Sequence, residues 1–394
     1  VLSDHEELVH AIDEAAVYAV ARRAERAERI ALDVEANGMF AYRQRVCVVQ
    51  LAFVEGERSV LVILDALRAP LAPLAAVLGA GGPPKVLHDL AFDARILMEE
   101  GLRLGHVEDT AVLGMLLDEP RTGLAALLEK ELGVIIAKGH QSHDWARRPL
   151  EDEHLAYLVD DVRHLLALHE GLAARVEAAG ITEEAAEEVA HRLARALVAD
   201  ADPRPPYARV KGATELDGPG RAALRSLFQA REEVARTVDT PAAKLLGSDA
   251  LLALARARPS GRVAIRKLAG RGADHADAWH EAIAAAEGEA DVPEPERAHF
   301  IVPPLDRAEL ARRRKVEQAL TRFRRDEAKR RGVCEQAILP GHCLAEIAGL
   351  AALAAPVAPV TEAELQRVAG LGEKRRALYG AALVAIVTSA MEAS

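Results

Sequence analysis

A chain of 394 residues, half of them hydrophobic and 28% charged, is neither a disordered polymer nor a single small core, so two or three domains are expected. With 3% aromatic residues and three scattered cysteines (Cys47, Cys334, Cys343), it excludes a disulfide framework or zinc signature and points to a core of helices and small aliphatic side chains. The net charge of −11 is unevenly placed, since residues 1–200 hold 20 Lys and Arg against 35 Asp and Glu, and the remainder 30 against 26.

Along the chain, IALDVE (30–35) predicts a strand with Ile30, Leu32 and Val34 on one face and Asp33 and Glu35 on the other. VCVVQLAF (46–53) and SVLVIL (59–64) flank the turn EGER and predict a hairpin. LAPLAAVLG then reads as helix, KVLH (85–88) as a short buried strand, and FDARILMEEG as a helix stopped by Gly101. Beyond residue 111 the pattern is mostly helical, and one long amphipathic helix is expected from 151 to about Gly180. ADADPRPP (199–206) and EGEADVPEPERAHFIVPP (287–304), rich in proline and charge, read as linkers around two helical segments, 207–286 and 305–392. No stretch approaches the roughly 18 apolar residues that span a bilayer, and the N-terminus carries no basic-then-apolar leader pattern. A soluble protein of the reducing cytoplasm, with no membrane partner, is therefore expected.

An acid-rich surface is tolerable beside phosphate only where metal ions reverse the local sign. Asp33 and Glu35 offer oxygens of the kind that hard cations such as Mg²⁺ take. An Asp-x-Glu pair alone is most often a solvated strand edge; this one interrupts a strand that otherwise reads as buried. His88 ends the strand KVLH, and Asp93 opens the next helix, where its charge also complements the helix dipole. By itself that is a helix-start acid. On the helix from 151 the apolar stripe runs Leu155, Leu158, Val159, Val162, Leu165 and Leu166, and Tyr157 and Asp161 share a face four residues apart. At about 100° per residue, Asp161 lies roughly 100° from the centre of the stripe and Asp160 about 160° away. Asp161 is thus the functional acid of the pair, with Asp160 expected to point at solvent.

DVE (33–35), HDLAFD (88–93) and YLVDD (157–161) resemble the three exonuclease motifs of the DEDD superfamily, in its tyrosine-containing branch. YRQRVCVVQLA (42–52), EDTAVLG (108–114) and SHDWARRPL (142–150) are similar to the ribonuclease D family in particular. Segments 207–286 and 305–392 resemble HRDC domains, through PPYARVKGA, AREEVARTVDTPAAKLL and LLALARARPSG in the first and VAGLGEKRRALYGAALVAIV in the second. The resemblance implies an α/β ribonuclease-H-like exonuclease domain over 1–198, with a mixed five-stranded sheet and flanking helices. Two all-α HRDC domains would follow, over 203–288 and 303–394. It also implies that Asp33, Glu35, Asp93 and Asp161 hold two divalent metal ions, Mg²⁺ or Mn²⁺, and that Tyr157 orients the attacking water. The partner implied is RNA with a free 3′ hydroxyl end, transfer RNA precursors above all, releasing 5′-nucleoside monophosphates; protein partners are left open. A DNA exonuclease of the same superfamily and a non-catalytic RNA-binding protein are the rival readings, and all five catalytic positions being filled speaks against the second. One departure is Ala36-Asn37 directly after the motif glutamate, where many relatives have an aromatic or a threonine.

His88, His140 and His143 lack metal-ligand spacing and are expected in loop or packing roles. Lys138 and Gln141 stand just before Asp144-Trp145 as candidate substrate contacts. The run RRRKVEQALTRFRRDEAKRR (312–331) reads either as a solvated helix face or as a phosphate-tracking surface, its arginines spread around the helix. Gly370-Leu371-Gly372 reads as a helix stop, or as backbone amides offered to a phosphate. Since all five candidate residues precede residue 203, removal of everything beyond it is expected to spare hydrolysis of short oligonucleotides.

Overall fold

The computed structural model describes residues 3–136, 139, 142–198, 202–300, 306–353 and 360–392; Lys138, His140 and Gln141 lie outside the described residues. The chain forms two compact units, one from residues 1–35, 46–199 and 305–394, the other from 36–45 and 200–304.

The first unit begins with β1 (Glu6–Ala11), α1 (Glu14–Ala24), β2 (Ile30–Ala36), β3 (Val46–Glu55) and β4 (Arg58–Asp65). A short helix, α2 (Ala75–Leu78), leads to β5 (Lys85–Leu87), α3 (Ala91–Glu99) and β6 (Val107–Asp109). Helices α4 (Thr110–Leu116), α5 (Leu124–Leu132), α6 (Asp152–Arg163), α7 (Leu165–Ala178) and α8 (Thr182–Leu197) complete this stretch. The strands form one sheet in the order β1-β4-β3-β2-β5-β6. Pairing is parallel for β1 with β4, β2 with β5 and β5 with β6, and antiparallel for β3 with β4. The mixed sheet and its helices match the expected fold class. The hairpin is as predicted: Glu55 pairs with Arg58, and Gly56 at φ +62° supplies the first central residue of a type II′ turn.

Two expectations need correction. The sheet has six strands rather than five. Its outermost strand, β1, reads EELVHA without apolar alternation and buries fully only Ala11, so its hydrophobic signal is that of an edge. The single helix expected over 151–180 is two. His164, at φ −106° and ψ 0°, ends α6 and starts α7, and apolar residues continue across this one-residue break.

The second unit is helical: α9 (Gly218–Thr237), α10 (Ala242–Leu245), α11 (Ser248–Ala257), α12 (Arg262–Ala269), α13 (Ala276–Ala285) and α14 (Glu294–Arg297). Its core gathers Leu224, Leu227, Leu251, Leu254, Ile265 and Trp279. Buried side chains of this size contribute about 1.5–3 kcal/mol each. Trp279 keeps its polar edge satisfied by donating Nε1–H to the Gly272 carbonyl at 2.7 Å. Residues 36–45 belong to this unit: the Tyr42 N–H donates to Asp239 at 3.1 Å and its hydroxyl to Glu232 at 3.2 Å.

The chain then returns to the first unit with α15 (Arg307–Arg331), α16 (Glu335–Ile338), α17 (Gly341–Leu353), α18 (Glu362–Leu365) and α19 (Glu373–Glu392). These helices have their own core, including Leu320, Ile338, Ile347, Leu371 and Leu383. They dock on α8 through charge. Glu184, fully buried, pairs with Lys374 at 2.9 Å and Arg331 at 3.2 Å. Burial alone would raise its carboxyl; hydrogen bonds from those cations hold it below the usual range. Arg375, also fully buried, pairs with Glu187 at 3.0 Å and donates to the Glu184 and Ala337 carbonyls. Just after the Gly370-Leu371-Gly372 turn, at the start of α19, the Lys374 N–H donates to Glu187 at 3.0 Å. Gly372 sits at φ +73°, and a Cβ there would fall 1.9 Å from the Glu187 carboxyl carbon. The anion beside the turn is thus the chain's own Glu187.

Candidate active site

Asp33 and Glu35 leave β2 among neighbours that are buried to 4% exposure or less: Leu32, Val34 and, earlier in the strand, Ile30 and Ala31. Alternation sends both carboxylates to one face. Asp93 reaches the same place from the first turn of α3. Its delivery depends on Asp109, wholly buried at the end of β6. The Asp109 carboxylate accepts the N–H groups of Asp89 and Leu90 at 3.1 and 2.8 Å, and those of Ala111 and Val112 at 2.8 and 3.2 Å. It thereby ties the start of α3 to the start of α4, and holds Asp89 in the left-handed region at φ +64°. From the other side, α6 presents Tyr157 and Asp161 one turn apart, with the tyrosine hydroxyl bonded to the carboxylate.

All five residues line one cavity of about 650 Å³. Asp33, Glu35 and Asp161 each bring a carboxylate oxygen within 4.8 Å of the other two, a donor set that fits a hard divalent cation. Asp93 stands outside that triad but is repelled by Asp33 and Glu35. The electrostatics show what crowding costs. Burial, with no cation to offset it, pushes Asp33 up to about 6. Burial and then the charges of Asp33 and Asp161 push Glu35 up to about 9. Asp161 rises to about 8 through burial and Asp33, against the lowering hydrogen bond from Tyr157. Asp93 is raised by burial and by the same neighbours. Burial and Asp161 hold the Tyr157 hydroxyl far above its ordinary range, so it stays protonated and is a donor.

Asp160 turns away from this cavity, as the helical-face argument expects. It is not free in solvent, however: it pairs with Arg163 at 3.2 Å, and Arg163 pairs with Glu6 of β1 at 3.0 Å. The charge on that face ties α6 to the sheet edge.

Three supports escaped sequence reasoning. Trp145, 1% exposed, stacks on Tyr157 with ring centres 5.6 Å apart, and His143 and His154, 4.0 Å from each other, meet the Trp145 ring edge-on. His143 thus has the packing role expected of it. Arg148 anchors the segment that carries Trp145, gripping Asp65 at 2.6 and 2.7 Å and donating to the Cys47 and Trp145 carbonyls. Asp109 is the third. Each lies inside a stretch already singled out by resemblance, but none carries a local signal of its role.

The run at 312–331 divides. Arg312 donates to the Ala352 carbonyl, Arg324 pairs with Glu335 at 2.8 Å, and Arg331 faces α8. Arg313 and Arg330 pair with Glu317 and Glu327 along the helix, and Arg314 and Arg322 line a surface cleft. Among the described residues no helix is long and apolar enough to cross a membrane.

Comparison with known proteins agrees with this geometry. The 3′-5′ exonuclease family matches residues 9–177, and the HRDC domain family matches residues 221–286 and 313–387. Ribonuclease D of Gluconacetobacter diazotrophicus is 30% identical over 259 residues, covering 64% of this chain and 63% of that protein. Ribonuclease D of Xanthomonas oryzae is 29% identical over 240 residues, covering 60% and 65%. The alignments therefore span just under two thirds of these relatives' length. In fold, the chain is similar to the crystal structure of Escherichia coli RNase D, with a TM-score of 0.71 at 21% identity over 97% of this chain and 99% of that one. An exonuclease sheet followed by two HRDC modules, with sequence similarity to ribonuclease D proteins and a fold like that of a ribonuclease D, makes this chain similar to the ribonuclease D family.

Proposed function

We propose that the chain is a metal-dependent 3′→5′ exoribonuclease that releases 5′-nucleoside monophosphates one at a time from RNA with a free 3′ hydroxyl. The observation that carries this reading is the cluster of Asp33, Glu35 and Asp161 oxygens, with Asp93 and Tyr157 on the same cavity wall. Their raised carboxyl pKa values mark a site built for cations. Asp33, Glu35 and Asp161, with Asp93, would hold two divalent ions, Mg²⁺ or Mn²⁺. When bound, such ions stabilise the growing charge on attacking and leaving oxygens and acidify the nucleophilic water. Tyr157, protonated and braced by Trp145, orients that water rather than deprotonating it. The exonuclease domain is read as 1–198 and the HRDC domains as 203–288 and 303–394. The outward arginines Arg314 and Arg322 suit a phosphate backbone, consistent with structured substrates such as transfer RNA precursors. Three free, buried thiols suit the reducing cytoplasm.

The test is incubation of labelled RNA and DNA, each with a free or blocked 3′ end, with Mg²⁺, Mn²⁺ or excess chelator. Stepwise mononucleotide release from free-ended RNA in the presence of metal is expected. Undiminished degradation in chelator, or internal cleavage of the blocked RNA, would refute the reading.

A further inference from the structure

His88 lies on the wall of the same cavity, and its hydrogen bonds fix which nitrogen carries the proton. Its Nδ1 stands 2.9 Å from the Thr110 hydroxyl oxygen, and that oxygen stands 3.1 Å from the Leu87 carbonyl. A hydroxyl has one proton, and a carbonyl can only accept. Both contacts are hydrogen bonds only when Thr110 donates to Leu87 and accepts from a protonated Nδ1. Thr110 has no freedom to do otherwise, being fully buried at the start of α4, which Asp109 caps. Burial lowers the His88 pKa against the opposing pull of Asp109 and Asp89, which agrees with a neutral ring at neutral pH. Its Nε2 therefore carries a lone pair, with no hydrogen-bond partner among the described residues.

The place of that acceptor is set by the sheet. β2 and β5 run parallel with Ile30 opposite Lys85 and Ala31 opposite Val86, and His88 directly follows Leu87, the last residue of β5. His88 and the carboxylates that would hold the scissile phosphate through metal line the same cavity. A phosphate oxygen is an acceptor and gains nothing there. The groups of a 3′-terminal nucleotide that can donate to it from beside the scissile phosphate are its ribose hydroxyls.

We propose that His88 is a specificity-determining residue: its Nε2 accepts a hydrogen bond from the 2′-hydroxyl of the 3′-terminal nucleotide, and so distinguishes ribose from deoxyribose. This rests on the exonuclease reading above. DNA lacks the donor, and a 2′-O-methyl ribose keeps the oxygen but not the proton.

The test is single-turnover hydrolysis by the full chain with Mg²⁺, on RNA oligonucleotides identical except for a ribo, 2′-deoxy or 2′-O-methyl sugar at the 3′ end. The unsubstituted protein is expected to favour the ribo end by about 3- to 10-fold, the range of one neutral hydrogen bond. His88→Phe should bring the ribo-to-deoxy ratio close to one, while His88→Gln, which keeps an amide acceptor, should retain part of it. A ratio unchanged in both variants overturns the proposal. Equal losses on all three ends also overturn it, because they would mark His88 as a support for fold or water. If the unsubstituted protein hydrolyses none of the three, the exonuclease reading falls and this proposal with it. If it hydrolyses them all without preference, only this proposal falls.

Discussion

Metal binding should release protons, and the number follows from the site. Metal ligation requires carboxylates without their protons. In the metal-free chain Glu35 is pushed up to about 9 and Asp161 to about 8, so near pH 7.5 both are mostly protonated, while Asp33 at about 6 is mostly ionised. Binding of Mg²⁺ or Mn²⁺ near that pH should therefore expel about one to two protons from Glu35 and Asp161, to which Asp93, also raised, adds its share, with affinity rising at the same slope in log units per pH unit. The slope should flatten above about pH 10. Calorimetric titration in two buffers of different ionisation enthalpy gives the count directly. Stability carries the same sign. These folded-state values are raised, so the metal-free chain holds protons that the unfolded chain has already lost. Their stabilisation is complete below the ordinary carboxylate range and drains away as pH rises through about 6, 8 and 9. The gap in Tm between metal-loaded and chelator-treated protein should widen from pH 6 to pH 9. No proton release near pH 7.5, or a gap that narrows as pH rises, would show that the carboxylates do not share one desolvated site.

Asp161→Asn should lower single-turnover rates by about 100-fold or more. Asp160→Asn, which breaks a half-exposed pair with Arg163, should cost at most about 1 kcal/mol of stability and leave the rate within about threefold; comparable rate losses in the two would contradict the assignment of faces. Trp145→Ala should cost about 3–5 kcal/mol in urea unfolding and reduce kcat more than it raises KM, because Tyr157 loses its stacking partner. Trp145→Phe should recover part of both, and a kcat untouched by the alanine variant would argue against a positioning role. Arg375→Ala should lower stability by about 2–4 kcal/mol, since it removes the cation paired with Glu187 and the donor to the Glu184 and Ala337 carbonyls, and an unfolding midpoint within error of the unsubstituted chain would show that the docking on α8 is not held by this arginine.

How much of this was readable from sequence depends on the range of the interaction. Asp33 and Glu35 were legible because strand alternation is a two-residue signal, and Asp161 over Asp160 because a helical face is a four-residue one. The hairpin was legible from its glycine turn. β1 was not, since an edge strand buries one side only weakly and its partner β4 lies some fifty residues on. Nor was the break at His164, which ends α6 and starts α7 without interrupting the apolar pattern. The supports of the site were the least visible. Arg148 finds Asp65 83 positions away, and Asp109 binds Asp89 20 positions back. An isolated arginine or aspartate in a sequence says nothing about a partner at that distance.

The charge asymmetry shows the same limit and changes an argument built on it. Counted by halves, the chain reads as an acidic catalytic part and a basic part that grips RNA. Part of that contrast cancels inside the fold. Glu184 and Glu187 belong to the acidic count, and Arg331, Lys374 and Arg375 to the basic one, yet they meet on the α8 surface. These cations are spent on the chain's own carboxylates, and Glu187 also accepts the Lys374 N–H at the start of α19. The positive surface left for RNA on the last helical module is therefore smaller than the count suggests, and is carried by outward residues such as Arg314 and Arg322. It follows that a cut near residue 203 is not a neutral removal of a binding arm. It uncovers Glu184 and Glu187 without their partners, so the severed exonuclease part should melt earlier than the full chain even though all five site residues are kept. Any loss of activity on short oligonucleotides after such a cut should then track the melting temperature, and lowering the pH toward the carboxylate range should shrink the difference, as the stranded acids take up protons.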